Sequence, residues 1–100
     1  MNRALNMLGL CMRAGKLVSG EKAAIQAIRS GSAHAVVLDG AAAKNAVKAV
    51  TDACGWHEVP LIRAPENELG WAIGKPGRMV AAITDPSFAD RILQLERAES

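Results

Sequence analysis

The chain has 100 residues, half of them hydrophobic and 22% charged, which is the size and composition of one folded domain. This apolar content excludes an intrinsically disordered chain, and no apolar run approaches the ~20 residues that cross a bilayer. Residues 1–50 carry seven basic and two acidic side chains, whereas residues 51–100 carry five and eight. Such an asymmetry favours a basic face for a polyanion, and charge scattered over a solvated surface is the alternative.

The spacing of apolar residues predicts alternating helices and strands. In chain order, we expect a helix at 2–14, a strand at 17–18, a helix opening at 19–22, a strand at 35–38, a helix at 42–54, a strand at 59–62, a helix at 66–73, a strand at 79–84 and a last helix opening at 85–86. Ser19 and Asp85 are expected as helix N-caps, with Pro86 at the first helical position. Three glycines are expected to follow helices: Gly15, Gly55 and Gly74.

This alternation predicts the fold class. Strands that alternate with helices form α/β domains in which helices cover both faces of one sheet. We therefore predict a three-layer α/β/α sandwich, with residues 1–100 as a single domain and three or four strands in the sheet.

Catalytic and cofactor-binding patterns are nearly absent. Cys54 and His57 have a C-x-x-H spacing, but a zinc site needs about four ligands and no second pair exists. The segment from Gly70 to Pro76 fails as a phosphate-binding loop, because the glycines are one residue too close and proline replaces the Ser/Thr that holds magnesium. The sequence thus predicts no enzyme, no metal and no cofactor.

The two cysteines, Cys11 and Cys54, are far apart in a chain that shows no export signal or membrane anchor. We therefore expect free, buried thiols and a cytoplasmic location.

Two segments are suited to binding a polyanion. In residues 15–22, a strand end, two glycines and a helix start lie together, and Lys16 and Lys22 flank them. This favours phosphate binding, because phosphate binds to the backbone N–H groups at a helix start. Residues 74–79 form a basic turn containing Lys75 and Arg78, which can hold a backbone and cover an unstacked base. An ordinary capped turn and a solvated loop are the alternatives.

An ordered set of short motifs resembles the kink-turn-binding ribosomal protein superfamily (L7Ae/L30e/S12e/Gadd45-like), most closely its bacterial YlxQ-type branch. The motifs are LGLCMRAGKLVSGEKA, AIRSG, AVVLD, AVTDACGWHEVP, ELGWAIGK and VAAITDPSFA, and together they cover nearly the whole chain. The resemblance implies a small mixed four-stranded sheet and RNA binding without catalysis. In the family, the turn into the second helix contacts sheared G·A pairs, and the loop before the last strand covers a protruding base.

Carried over residue by residue, the resemblance implies these RNA-binding residues: Lys16, Ser19, Gly20, Glu21, Lys22, Gln26, Lys75, Gly77, Arg78 and Met79. Some positions depart from the family pattern. Ala23 stands where Glu or Gln is usual, Gln26 where Lys is frequent, and Ser30 where Arg is frequent; the family's acidic pair is replaced by Gly40 and Ala41. These departures remove base-edge and phosphate partners and put standard kink-turn recognition in question.

The leading hypothesis is a monomer that binds a folded RNA element, either a kink-turn or a related internal loop. The expected partner is ribosomal RNA, with neither a membrane nor a small-molecule substrate. A second hypothesis is a ribosome-assembly or protein-interaction factor that keeps the fold without direct readout. A nucleotide-binding domain is a third.

Overall fold

The computed structural model describes residues 3–99. Over this range, helices and strands alternate in the order α1 (Arg3–Arg13), β1 (Leu17–Ser19), α2 (Glu21–Ser30), β2 (Ala35–Asp39), α3 (Lys44–His57), β3 (Leu61–Ala64), α4 (Glu68–Ile73), β4 (Val80–Ile83) and α5 (Pro86–Glu99). The predicted order of elements is therefore confirmed, with shifted ends at several of them. The first predicted residue of α1, at position 2, lies outside the described residues.

The four strands form one mixed sheet in the order β1-β4-β2-β3. β4 is antiparallel to both of its neighbours, and β2 is parallel to β3. Every residue of the two central strands is buried, as the continuous apolar run in β2 predicts. Because β4 runs against β1 and β2, its first residue lies beside their last residues, at one end of the sheet.

The helices cover both faces of this sheet. α1, α4 and α5 pack on one face, where Leu8, Leu69 and Ile92 are among the buried residues. α2 and α3 pack on the other face through Ile28 and Val50. Since successive strand residues point to opposite faces, β2 supplies both cores. The predicted three-layer α/β/α sandwich with a mixed four-stranded sheet is confirmed.

Several predicted helix ends are confirmed by their hydrogen bonds. The carboxylate of Asp85 accepts the Phe88 N–H at 2.9 Å, and Pro86 is the first residue of α5. Gly15, after α1, and Gly74, at the end of α4, both have a positive φ of 72°, as glycine allows beyond a helix.

Other predicted ends are wrong. Ser19 is the last residue of β1, and Gly20 is the N-cap of α2 without a side-chain cap. Gly55 lies inside α3, which continues to His57, so β3 begins at residue 61 and not at 59. A helical glycine costs only about 1 kcal/mol and keeps its backbone hydrogen bonds. Glu58 ends the helix instead, in the left-handed conformation with a φ of 56°.

Further boundaries differ by one or two residues: α1 ends at Arg13 and not at 14, β1 at Ser19 and not at 18, β2 at Asp39 and not at 38, β3 at Ala64 and not at 62, and α3 begins at Lys44 and not at 42. α4 begins at Glu68 and not at 66, because a distant carboxylate binds the N–H groups at its start. β4 spans Val80–Ile83 and not 79–84.

Candidate nucleic-acid interface

The turn into α2 and the loop before β4 lie side by side. The Gly20 N–H donates to the Val80 carbonyl at 2.8 Å, and the Arg78 guanidinium donates through Nη1 to the Ser19 carbonyl at 3.1 Å. The antiparallel pairing of β1 with β4 causes this placement. Two segments separated by more than fifty residues, both selected from the sequence as polyanion-binding, thus form one surface.

We call this the Gly20–Arg78 surface. It consists of Gly20, Glu21, Lys22, Lys75, Gly77 and Arg78. All of these residues except the half-buried Gly20 are exposed.

The backbone at Gly20 requires glycine. Its φ of 101° and ψ of 148° lie in a region that residues with a Cβ rarely adopt. A Cβ built at this position would lie 2.7 Å from Nη1 of Arg78. Arg78 therefore rests over the glycine, and a ligand could touch the glycine backbone only if the guanidinium moved away.

The start of α2 presents backbone donors at this surface. The first N–H groups of a helix have no intrahelical partner, and no side chain caps them here. The helix dipole adds partial positive charge at the same end, which favours a phosphate. Lys22 lies in this first turn and is exposed, whereas Ala23 is half-buried and its methyl group cannot hydrogen-bond.

The loop that carries Arg78 is held against α4. The Lys75 N–H donates to the Gly70 carbonyl at 2.8 Å, and the Arg78 N–H donates to the Lys75 carbonyl at 3.2 Å. A Cβ on Gly70 would lie 2.7 Å from the Lys75 carbonyl oxygen, so a larger residue there would move the loop. Gly77 turns the loop with a φ of 89°. The basic loop is therefore positioned by the helix before it.

A buried aspartate joins the connections at this end of the sheet. Asp39 has no exposed surface, and its Oδ1 accepts the N–H groups of Ala41 at 2.8 Å and of Asn67 at 2.7 Å. Its Oδ2 accepts the Leu69 N–H at 3.0 Å, and its own N–H donates to the Met79 carbonyl at 2.8 Å. Asp39 is not among the residues that the sequence pattern predicts for the site. An acid that ends an otherwise apolar strand is the signal that could have found it.

Lys16 and Met79, which the sequence predicts to bind RNA, are not part of the Gly20–Arg78 surface. The Lys16 carbonyl accepts the Thr84 N–H, at the opposite end of β1 from Gly20. Four residues of extended strand separate the backbone of Lys16 from that of Gly20 by about 13 Å, so the Lys16 backbone lies outside this surface and its RNA contact stays a prediction. Met79 is half-buried and packs against the core between the sheet and the α2–α3 layer. Gln26 is exposed one helical turn beyond Lys22, and both line a groove along α2.

Both cysteines are free and buried, as predicted. Burial, together with the nearby Asp85 charge, raises the pKa of the Cys11 thiol to about 11, and burial also raises the pKa of Cys54. Neither side chain therefore has the thiolate character of a nucleophile at neutral pH.

Within residues 3–99, no group of three or more His, Cys, Asp or Glu side chains is arranged to hold a metal ion. In the same range, no helix has the length and apolar content to span a membrane.

The sequence model of the ribosomal protein L7Ae/L30e/S12e/Gadd45 family matches residues 2–93. The chain belongs to this family. Among its relatives is the RNA-binding protein YlxQ of Bacillus subtilis (strain 168), 42% identical over 90 residues that cover 89% of this chain and 90% of the relative. The RNA-binding protein YlxQ of Enterococcus faecium is 40% identical over 94 residues, covering 93% of this chain and 90% of the relative. The family resemblance predicted from the motifs is confirmed.

Two solved structures superpose on nearly the whole chain. A Bacillus halodurans C protein of unknown function has a TM-score of 0.91 at 31% identity, covering 97% of this chain and 99% of its own. The Giardia lamblia 15.5kD RNA binding protein has a TM-score of 0.74 at 21% identity, covering 96% and 86%, a likeness of fold. The family is non-enzymatic, which confirms that this chain is not an enzyme.

Proposed function

We propose that this chain is an RNA-binding protein and that the Gly20–Arg78 surface holds a folded RNA element. The observation that carries the proposal is the contact between Arg78 and the Ser19 carbonyl, which joins the two predicted polyanion-binding segments. Two relatives that cover about nine-tenths of the chain are named RNA-binding proteins. The described residues form one three-layer sandwich, which supports residues 1–100 acting as a single RNA-binding domain.

The chemistry of the surface favours phosphate and base-edge contacts. The uncapped N–H groups at the start of α2 and the Lys22 ammonium are donors for a phosphate or a base edge. The Arg78 guanidinium offers a planar fork of donors that suits phosphate, once it leaves the Ser19 carbonyl. Because Gly20 lacks a side chain, the RNA backbone can approach the strand end closely.

The RNA class that fits is a kink-turn or a related internal loop, held mainly by shape and phosphate contacts. Ala23 has no hydrogen-bonding side chain, and Gln26 and Ser30 carry no charge, so base-edge readout is weaker than in relatives with Glu and Lys there. The half-buried Met79 supports the loop from the core side, which leaves Lys75, Gly77 and Arg78 to cover a protruding base.

We propose ribosomal RNA as the partner, with the chain acting as a monomer in the cytoplasm during translation. The free thiols of Cys11 and Cys54 support a reducing compartment.

A ribosome-assembly or protein-interaction factor is the second candidate. The observation that favours it is the methyl group of Ala23 at the helix start, where it offers the RNA no hydrogen bond.

A mobility-shift assay separates the two candidates. The probes are a kink-turn hairpin, the same hairpin with its G·A pairs replaced by Watson–Crick pairs, a plain duplex and total ribosomal RNA. The proposal predicts a shift of the kink-turn hairpin and of ribosomal RNA at concentrations that leave the duplex free. Binding to none of these RNAs would contradict it and favour the protein-interaction factor.

A further inference from the structure

Trp56 lies on the surface with no packing role. It is 85% exposed near the end of α3, on the layer that also contains α2. Its indole lines a groove between the two helices, together with Arg29 from α2 and His57 from α3. An aromatic ring beside a guanidinium and an imidazole is a combination that binds unpaired bases, because the ring stacks and the flanking groups contact phosphate.

The charges in this groove favour a polyanion. Arg29 forms no ion pair with any side chain in residues 3–99. The acid in the groove, Asp52, is neutralised by Lys48, whose Nζ lies 2.9 Å from its carboxylate. The groove therefore offers an unpaired guanidinium beside the exposed indole.

The groove is continuous with the Gly20–Arg78 surface. A second groove along α2 is lined by Glu21, Lys22 and Gln26 and shares Ile25 and Arg29 with the first, so it carries two basic side chains and one acidic one. Residues 22, 26 and 29 follow one helix face at the i, i+4, i+7 spacing. Lys22 and Arg29 are about 10 Å apart along the helix axis, the length of about three stacked nucleotides.

We propose that Trp56 is a stacking platform for an unpaired nucleotide that flanks the RNA element held at the Gly20–Arg78 surface. The strand leaves that surface at Lys22, follows α2 past Gln26 and reaches the indole beside Arg29. This inference rests on the proposed function, because it assigns a second contact to the same RNA.

Tryptophan fluorescence tests the stacking directly. The chain contains two tryptophans and no tyrosine, so W71F and W56F each leave one emitting indole. Trp71 is a matched control, since it is 84% exposed but lies on α4, on the opposite face of the sheet. The probe is the kink-turn hairpin with short unpaired adenosine extensions at both ends. We expect it to quench the emission of Trp56 in W71F and to leave that of Trp71 in W56F nearly unchanged.

Affinity gives the second measurement. Trp56→Ala should weaken binding of the extended hairpin about 5- to 100-fold, the effect of losing one base–aromatic stack. The same variant should bind the hairpin without extensions as the unaltered protein does, and Trp71→Ala should bind both RNAs normally. Trp56→Phe, which keeps a ring, should recover most of the affinity.

The outcomes separate this inference from the proposed function. If the hairpin binds but Trp56 is not quenched, or if Trp71 is quenched instead, the platform is wrong and the RNA-binding function stands. If Trp56→Ala weakens the binding of both hairpins equally, the indole does not bind a nucleotide of the extension, and the inference is also overturned. If the unaltered protein binds neither hairpin, the proposed function fails and the platform fails with it.

Discussion

Replacing Gly20 by alanine should separate its structural role from its role in RNA binding. The backbone at Gly20 has a φ of 101° and a ψ of 148°, where a residue with a Cβ costs about 1–3 kcal/mol. For a domain of this length, that cost lowers the melting temperature by roughly 5–20 °C. The added methyl would also lie 2.7 Å from Nη1 of Arg78. The guanidinium is the far end of a flexible side chain, so it moves aside and the core is unaffected.

The affinity for RNA should fall by more than the loss of folding stability explains. The methyl group occupies the position where the RNA backbone approaches, so we expect at least ~10-fold weaker binding, which corresponds to about 1.4 kcal/mol. The affinity is measured by fluorescence anisotropy of a labelled kink-turn hairpin, at a temperature where circular dichroism shows the variant fully folded. Under that condition a loss of affinity reports on the surface and not on unfolding.

Gly15→Ala is the matched control. Gly15 also has a positive φ, of 72°, and a Cβ there would meet nothing within 4 Å. It lies just before β1, at the end of the sheet away from Gly20, so it should lose about 1–2 kcal/mol of stability and keep its RNA affinity. Normal RNA binding by Gly20→Ala, or an equal loss of affinity in Gly15→Ala, would contradict this role of Gly20.

Four further predictions follow from the structure. Arg78→Ala should lower the slope of log affinity against log salt by about 0.7–0.9, since one phosphate contact is lost, whereas Lys16→Ala should leave that slope unchanged. Lys22→Ala should cost ~1–3 kcal/mol of preference for the hairpin with intact G·A pairs, by analogy with groove readout; equal weakening of all RNAs would contradict a base contact. Asp39→Asn should destabilise the fold by about 1–3 kcal/mol in urea unfolding, because an amide cannot accept all three N–H bonds; an unchanged midpoint would refute the role of this carboxylate. The pKa of Cys11 is raised from 9.0 to about 11 in the folded protein, so this thiol's contribution to stability is complete below pH 9 and is lost as the pH rises toward 11. The free energy of unfolding in urea should decline more steeply with rising pH for the unaltered protein than for Cys11→Ala. Parallel declines of the two proteins would contradict the assignment.

The sequence predicted the order of the elements because their apolar periods are strong and local. The buried run in β2 and the capping residue Asp85 each act within a few residues, so a short window contains the relevant physics. The two halves of the Gly20–Arg78 surface were also visible in the sequence, as glycine–lysine and glycine–arginine turns. Their juxtaposition depends on β4 pairing antiparallel with β1, which local pattern does not decide.

Other features could not be predicted because they depend on distant contacts. Asp39 binds N–H groups of residues 28 and 30 positions away, and those bonds set the start of α4. Gly55 is an ordinary helix-ending signal, yet α3 continues to His57 and ends at Glu58 in the left-handed conformation, a local turn that no residue type in the sequence marks. Lys16 belongs by sequence to the turn before α2, but the direction of β1 carries it to the other end of the sheet.

Amide chemical-shift mapping shows directly whether RNA binds at the Gly20–Arg78 surface. The ¹⁵N-labelled chain is titrated with the kink-turn hairpin without extensions, and the shift of each amide is followed. We expect the largest shifts at residues 20–23, 75 and 77–79 and none at Lys16 or Thr84, at the opposite end of β1. Shifts centred on that opposite end, or spread evenly over the chain, would contradict it.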